Sequence, residues 1–466
     1  MRFLKRFAKW SLVAFASVVL IISALWLTAR VIYPTDAQRQ AAAEMARWPA
    51  YEGENAYALL WTLEHAVPED AIDVVMAEDV RQFSPGLTRP AEMTGGSVVS
   101  PSTALPSAAN VYPDLAPGQE DTGLFCGLRQ ADCLARVKED LASYQALIER
   151  NDELLDRVDQ LQGYGFIRSE FPYSPWSPWP GQHAAKYTKT RNAVLFVEGR
   201  HDEAIASTCR DILTWRRLGS RSDSLIWRMS GDALSTESSG PLLAEMLAQY
   251  PVDAPLPEPC TEALAPPATE ELTLCNALRG EYGANANVVD LPLVNPQTSR
   301  FDRFAAQAFV DPEAARGMMA EGYLAYCGDP GDTATQEELE EILRDRSELR
   351  RLECASNLHQ CVLQALVFPA LDEYQDRVTD HAARLRALGT LAWMRSQVAS
   401  GRSPAELLAN RPGALNDEGD QMTYGPEGQT LEIVLRWTRR GEAWSIPLPP
   451  ALQPQAAPGV QLVDHN

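Results

Sequence analysis

Residues Ser11 to Ala29 form an unbroken run without charge, preceded by Arg2, Lys5, Arg6 and Lys9 and followed by Arg30. At ~1.5 Å per helical residue the run measures roughly 29 Å, close to the hydrocarbon thickness of a bilayer. A chain with such a segment is expected to cross a membrane once, through residues 11–29, and to fold the rest on one side. Cleavage as a signal peptide fits poorly, because a cut after Ala29 places Leu27 where a small residue belongs. Trp10 and Trp26 lie near the two ends of the run, where indoles favour the headgroup region. Lipid modification after export needs a cysteine just past the apolar run, and the first cysteine is Cys126. The basic flank precedes the run, so the N-terminus is expected in the cytoplasm. The expected placement is a bacterial inner membrane, crossed in a single pass, with the body in the periplasm.

The charge balance narrows the partners. The chain carries a net −22, and residues 1–30 hold five basic residues and no acid, which leaves the remainder at −27. Such a surface repels phosphate, so nucleic-acid binding is not expected. The bilayer is the one partner that the pattern implies directly; other envelope proteins are a further expectation.

All eight cysteines, Cys126, Cys133, Cys209, Cys260, Cys275, Cys327, Cys354 and Cys361, follow the apolar run and are even in number. In an oxidising compartment that pattern reads as up to four disulfides. Gly127 and the turn-like Gln130-Ala131-Asp132 suggest a local bridge between Cys126 and Cys133. Cys260 and Cys275 flank Pro266-Pro267, so these two are a candidate loop-closing pair. Cys354 and Cys361 lie in a stretch read as helix, where seven residues rise about 10.5 Å. A bridge needs Cα atoms within about 7 Å, so each is expected to reach a different partner unless the helix breaks between them. The spacing of Cys354, His359 and Cys361 does not match a zinc pattern, and neither a metal nor a cofactor is expected.

Hydrophobic periodicity beyond the membrane segment is almost entirely helical. Val137, Leu141, Tyr144, Ile148, Leu155 and Val158 place one apolar stripe on a long helix over about 131–162, interrupted by Asn151. Weaker helical patterns cover about 35–46, 55–65, 68–82, 184–198, 201–219, 222–250, 299–326, 335–366 and 371–400. Alternation at Leu431, Ile433, Leu435 and Trp437 predicts a strand, and Ala443 to Leu448 can return beside it as a hairpin. The hairpin is expected to be separable, so that loss of 413–466 leaves the helical signal nearly unchanged. The expected class is therefore mainly α: an N-terminal transmembrane helix, an exported multi-helix bundle or array, and a small C-terminal β-hairpin. The expected divisions are a basic start and anchor (1–32), juxtamembrane helices (33–83), a Ser/Pro/Gly-rich connector (84–122), a helical body (123–400) and the hairpin with its tail (401–466).

Chemistry-bearing motifs are sparse. The chain has no Gly-x-Ser-x-Gly elbow, Ser-x-x-Lys pair, His-Glu-x-x-His, phosphate loop or dinucleotide fingerprint. No catalytic residue is assigned. The proline-punctuated run Phe171 to Pro180 carries Tyr173, Trp176 and Trp179, which either line a groove or pin the loop to the helical body. Glu281, with Arg279 and Tyr282 beside it in sequence and Cys275 just upstream, is the one acid singled out as a catalytic lead. The favoured expectation is a non-enzymatic envelope scaffold or interaction protein. The alternative is an exported carboxylate-dependent hydrolase acting on cell-wall or peptide material.

Leu385-Arg-Ala-Leu388, Ala392-Trp-Met-Arg395, Gly401-Arg-Ser-Pro404, Leu407 and Tyr424 with the strands after it resemble the helix, Gly-x-x-Pro loop and strand layout of type II secretion pseudopilins. Ser403 stands where an aromatic is usual. The apolar run also lacks the Gly-Phe junction and early internal glutamate of pilin-type anchors, so a pilus subunit is not implied. The stretch Cys126 to Leu134 and Asp223-Ser-Leu-Ile226 are similar to an uncharacterised group of proteobacterial single-pass inner-membrane proteins. That resemblance carries no function with it. Gly199 to Ile205 is similar to the turn of a tetratricopeptide repeat, but without a 34-residue period it implies an ordinary helical hairpin.

Overall fold

The computed structural model describes residues 2–87, 92–94, 97–99, 106–289, 299–301, 304, 310–327, 352–416, 421–437 and 443–454. Parts of the expected connector (84–122) and of the expected helix at 335–366, together with the end of the tail, lie outside these residues. The architecture is mainly helical, with one small antiparallel sheet near the C-terminus.

Helix α1 (Arg2–Ile32) contains the uncharged run, and its segment Lys9–Ile32 is long and apolar enough to cross a membrane, with a mean hydropathy of 2.4. Helix α2 (Asp36–Met45) restarts the chain at once, because Thr35 and Gln38 form a reciprocal capping box. Next come β1 (Glu54–Asn55), α3 (Tyr57–Trp61) and α4 (Ile72–Leu87), then a short hairpin of β2 (Glu92–Thr94) and β3 (Ser97–Val99). Ser107 and the amide of Ala108 donate to the buried Asp79 carboxylate of α4, at 2.5 and 2.7 Å, which fastens the chain after Pro106 to the body. The next elements are α5 (Gln119–Leu124), α6 (Cys133–Glu139), α7 (Leu141–Arg150), α8 (Asp152–Gln160) and β4 (Tyr164–Phe166), the last pairing in parallel with β1.

The apolar stripe expected on one helix is thus carried by three. The breaks fall at Asp140, whose carboxylate caps the amide of Ser143, and at Asn151, whose amide turns back to the Leu147 carbonyl at 2.8 Å. Short polar side chains compete for backbone groups in this way, and the stripe survives because each break only bends it.

Helices α9 (Thr188–Val197) and α10 (His201–Ser220) form a hairpin around Gly199, whose φ of +86° is a left-handed conformation that glycine alone adopts without strain. Helix α10 is the central rod. It packs on α9, on α11 (Leu225–Ala233), on α12 (Gly240–Gln249) and on α13 (Pro259–Ala263). At its crossing with α11, a Cβ on Gly231 would stand 2.6 Å from the Cα of Gly219, so the paired glycines permit the close approach. Between α11 and α12 the chain passes through a π-helical turn, Leu234–Ser239.

Helices α14 (Cys275–Val288), α15 (Pro312–Leu324) and α16 (Leu358–Ser396) build a second apolar core with α2, through Met45, Leu278, Tyr282, Met319, Tyr323 and Leu371. A third, small core joins the exit of α1 to the body, where Ala29 and Tyr33 meet Ala314, with Leu352 and Ala355 against them. Helix α17 (Pro404–Ala409), capped by Ser403 and Glu406, leads to the strands β5 (Met422–Tyr424), β6 (Thr430–Val434) and β7 (Ala443–Pro447). The expected hairpin is β6–β7, in register Leu431 with Ile446 and Ile433 with Trp444, and β5 adds a third strand. The sheet packs directly onto the helices. Leu431, Ile433, Ile446, Leu448 and Leu452 belong to the same core as α3–α12.

The eight cysteines pair as Cys126–Cys133, Cys209–Cys260, Cys275–Cys327 and Cys354–Cys361. The first is the local bridge read from the sequence. Cys260 and Cys275 do not join each other: Cys260, on α13, meets α10, and Cys275, at the start of α14, meets the chain just past α15. Cys354 and Cys361 do join, against expectation, because the helix breaks at Asn357 and brings their Cα atoms to 5.8 Å.

Candidate functional site

The sequence-selected residues do not converge. Tyr173 stacks on Trp48 with ring centroids 5.6 Å apart and donates its hydroxyl to Asp223 at 2.9 Å. Trp176 packs against the main core, while Trp179 is 40% exposed. Tyr57 donates to the Pro178 carbonyl at 3.0 Å, and the Ser177 hydroxyl donates to the Pro172 carbonyl at 2.8 Å. These bonds pin the aromatic loop to the helical body. Glu281 is half-buried on α14, its carboxyl pushed up by burial and then by the charge of Asp223. Arg279 turns away to the carbonyls of Glu44 and Arg47, and Tyr282 enters the second core. Neither described cavity is lined by Glu281, so the trio adjacent in sequence is dispersed in space.

Two sites that sequence reading missed are built from the central helices. The first is a buried charged knot around the π turn. Arg216 forks onto Glu271 with two hydrogen bonds of 2.7 Å, and its remaining nitrogen donates to the carbonyls of Ala263 and Ala265. Arg228 donates to the Glu271 carbonyl and sits 3.2 Å from the Asp232 carboxylate. His381 of α16 lies 3.6 Å from the same carboxylate and 3.3 Å from the Thr236 hydroxyl. Glu237 bridges Arg384 and Arg129. Burial pushes Asp232 up to about 7. Burial first, then Arg228, Arg216 and Arg384, drives His381 well below its ordinary value. A neutral imidazole beside a half-protonated carboxyl is the chemistry of a general acid and base.

Access decides against that use. The adjoining cavity, lined by Arg129, Asp232, Arg377, Asp380, Arg384 and Trp437 among others, holds about 120 Å³. At ~30 Å³ per water it takes a few waters and no sugar or peptide. Its other groups are committed to structure. Asp380 accepts the amides of Arg436 and Trp437 at 2.7 and 3.0 Å, and Arg377 lies 3.9 Å over the Trp437 ring. The knot ties α10, α11, α16 and the chain beyond β6 together.

The second site is an open groove of about 620 Å³ between α7–α8 and α9–α10, within the usual range of ligand sites. Glu149, Asp152, Asp156 and Asp159 line one wall, Glu198 and Glu203 the other, against three arginines, Arg191, Arg200 and Arg210. Arg191 pairs with Asp159 at 2.7 Å, and Arg200 pairs with both Glu198 and Glu203. No described ion pair engages Glu149, Asp152 or Asp156. Ile148, Val194 and Leu195 supply apolar surface. Asp156 is raised by burial and then by the charge of Asp152. Beside the groove, Asp211 is pushed up to about 7 by burial and then by Asp159, while accepting a 2.8 Å hydrogen bond from Asn192. The α7–α8 acids were legible only as polar helix faces, because the groove arises from how the bent α7–α8 pair meets the α9–α10 hairpin.

Among the described residues no cluster of His, Cys, Asp and Glu has the arrangement of a metal site. No family model, curated protein or solved structure matches the chain.

Proposed function

We propose that the chain is a membrane-tethered interaction protein of the bacterial envelope, with its N-terminus in the cytoplasm and its body in the periplasm. In this reading the acidic groove between α7–α8 and α9–α10 receives a cationic segment of another envelope protein. The carrying observation is the row Glu149, Asp152 and Asp156, three acids without a described ion pair along one wall of a wide, open groove. A partner lysine or arginine there gains attraction from several carboxylates at once, which favours encounter and register. The apolar α1 and the four bridges support tethering in an oxidising compartment.

The test is photocrosslinking in intact membranes from a reactive residue placed at Gln145, on the rim of the groove. Capture of a defined neighbour that disappears in the Asp152→Lys/Asp156→Lys variant is expected. An unchanged capture pattern in that variant would exclude the groove as the contact.

A second reading, an exported carboxylate-dependent hydrolase, draws support from the Asp159 and Asp211 pair, the first paired with Arg191 at 2.7 Å and the second pushed up to about 7 by burial. Hydrolysis of cell-wall or peptide material by the purified chain, abolished by Asp211→Asn with its fold intact, would favour it over the first.

A further inference from the structure

We infer that the first turns of α16 lie on the membrane surface as a second bilayer contact, beside the point where α1 leaves the lipid. The inference rests on α1 spanning the bilayer. Between Glu353 and Asp372 the sequence has no acidic or basic side chain other than His359. In the structure this stretch is amphipathic in the inverted sense. Gln360 and Gln364 turn inward and are each 5% exposed, whereas Leu358, Val362, Leu363 and Val367 face outward at 55, 52, 40 and 40%. At 100° per residue Leu358, Val362, Leu363 and Val367 spread over roughly 180° of the helix, while Gln360, Gln364 and the core residue Leu371 fall within roughly 40° of one another outside that arc. A surface helix facing water reverses that arrangement. A helix facing acyl chains does not.

Position supplies the occupant. Arg30, at the end of α1, donates to the Val310 carbonyl at 3.2 Å and pairs with Asp311 at 3.8 Å. The Asp311 amide donates to the Asn357 side chain at 2.6 Å, and Leu358 follows directly. The Cys354–Cys361 bridge then clamps the start of α16 to the preceding turn of helix, which packs on Ala29 and Tyr33 through Leu352 and Ala355. The exposed apolar side of α16 therefore begins at the level of the anchor's exit. From Leu358 to Leu371 the helix measures ~21 Å, too short to span a bilayer and suited to lying along its interface. Asp372 and Glu373, both exposed, close the apolar stretch, and beyond them α16 enters the protein core through Val378. A body held at two points has a fixed tilt on the membrane, which a lone flexible anchor does not give.

The test uses the full chain in nanodiscs of phosphatidylcholine and phosphatidylglycerol, doped with lipid that carries a spin label near the top of its acyl chain. A genetically encoded environment-sensitive fluorophore is placed singly at Val362, at Asp372, or at Leu20 of α1. With one copy per disc, the probe at position 362 should be blue-shifted and quenched to an extent comparable with position 20, and position 372 should be unaffected. Quenching at 20 but not at 362 would overturn the inference and leave the anchor intact. Quenching at neither would overturn the anchor and the inference with it. A blue shift at 362 only with two copies per disc would assign the face to a contact between copies. In the Leu358→Asp/Leu363→Asp variant, the blue shift at 362 should be lost while quenching at 20 persists; retention of the shift would also count against the inference.

Discussion

Asp211 is an ordinary acid in sequence and a carboxyl with a strongly raised proton affinity in the fold. Its carboxyl is buried on α10, with Asn192 as hydrogen-bond donor and Asp159 close enough to oppose ionisation. The group is raised from 3.8 to about 7 on folding. Between those values the folded state retains a proton that the unfolded chain has released, so this residue lowers stability as pH rises through that window. Above about pH 7 both states are ionised and the loss is complete. Asp211→Asn keeps an oxygen for Asn192 and removes the titration. The variant should gain on the wild type by about 1 kcal/mol per pH unit across the window, read from urea unfolding at several pH values. Parallel pH profiles would show that the carboxyl is not protonated on folding. The buried fork of Arg216 on Glu271 belongs to the same class of residue, and nothing in the sequence marks it. Arginine and glutamate fill helix faces throughout the chain, and only the packing of α10 against the turn after α13 makes this pair fully desolvated.

Elements were legible where one periodicity ran long enough to dominate. The long apolar helix α1, the α9–α10 hairpin and the β6–β7 strands follow from pattern alone. The 131–162 stretch shows where pattern stops, since hydrophobic spacing reports which side is buried and not whether Asp140 or Asn151 diverts the backbone. The break at Asn357 was invisible for the same reason, and with it the Cys354–Cys361 pairing. The close crossing of α10 and α11 is another property of two elements together. Gly231 there is 2.7 Å from the Trp215 carbonyl, measured from where its Cβ would stand. Gly231→Ala therefore pushes backbone against backbone. It should cost about 1–3 kcal/mol in denaturant unfolding, toward the upper end because neither contact can rotate away. A change below ~0.5 kcal/mol would mean that the two helices slide apart freely.

At the scale of the whole molecule, the bridges divide by the loop they close. Cys209–Cys260 and Cys275–Cys327 join positions 51 and 52 apart in the sequence, whereas Cys126–Cys133 and Cys354–Cys361 join positions seven apart. By loop entropy the long pair members are worth about 4 kcal/mol each and the short ones about 2. Replacing Cys209 and Cys260 together by serine should therefore lower the urea midpoint about twice as far as replacing Cys126 and Cys133. Equal shifts would show that the long loops are already restrained in the unfolded chain. Charge balance, the uncharged run and the even count of cysteines are sums over the chain, insensitive to which residue meets which. That is why the sequence alone determined a helical protein with one membrane-length segment and the thiols to staple it. The acidic groove, the charged knot, the cysteine partners and the inverted side of α16 are relations between distant residues. Only tertiary packing decided them, because a carboxylate, an arginine or a leucine acquires its meaning from what its neighbours exclude or admit.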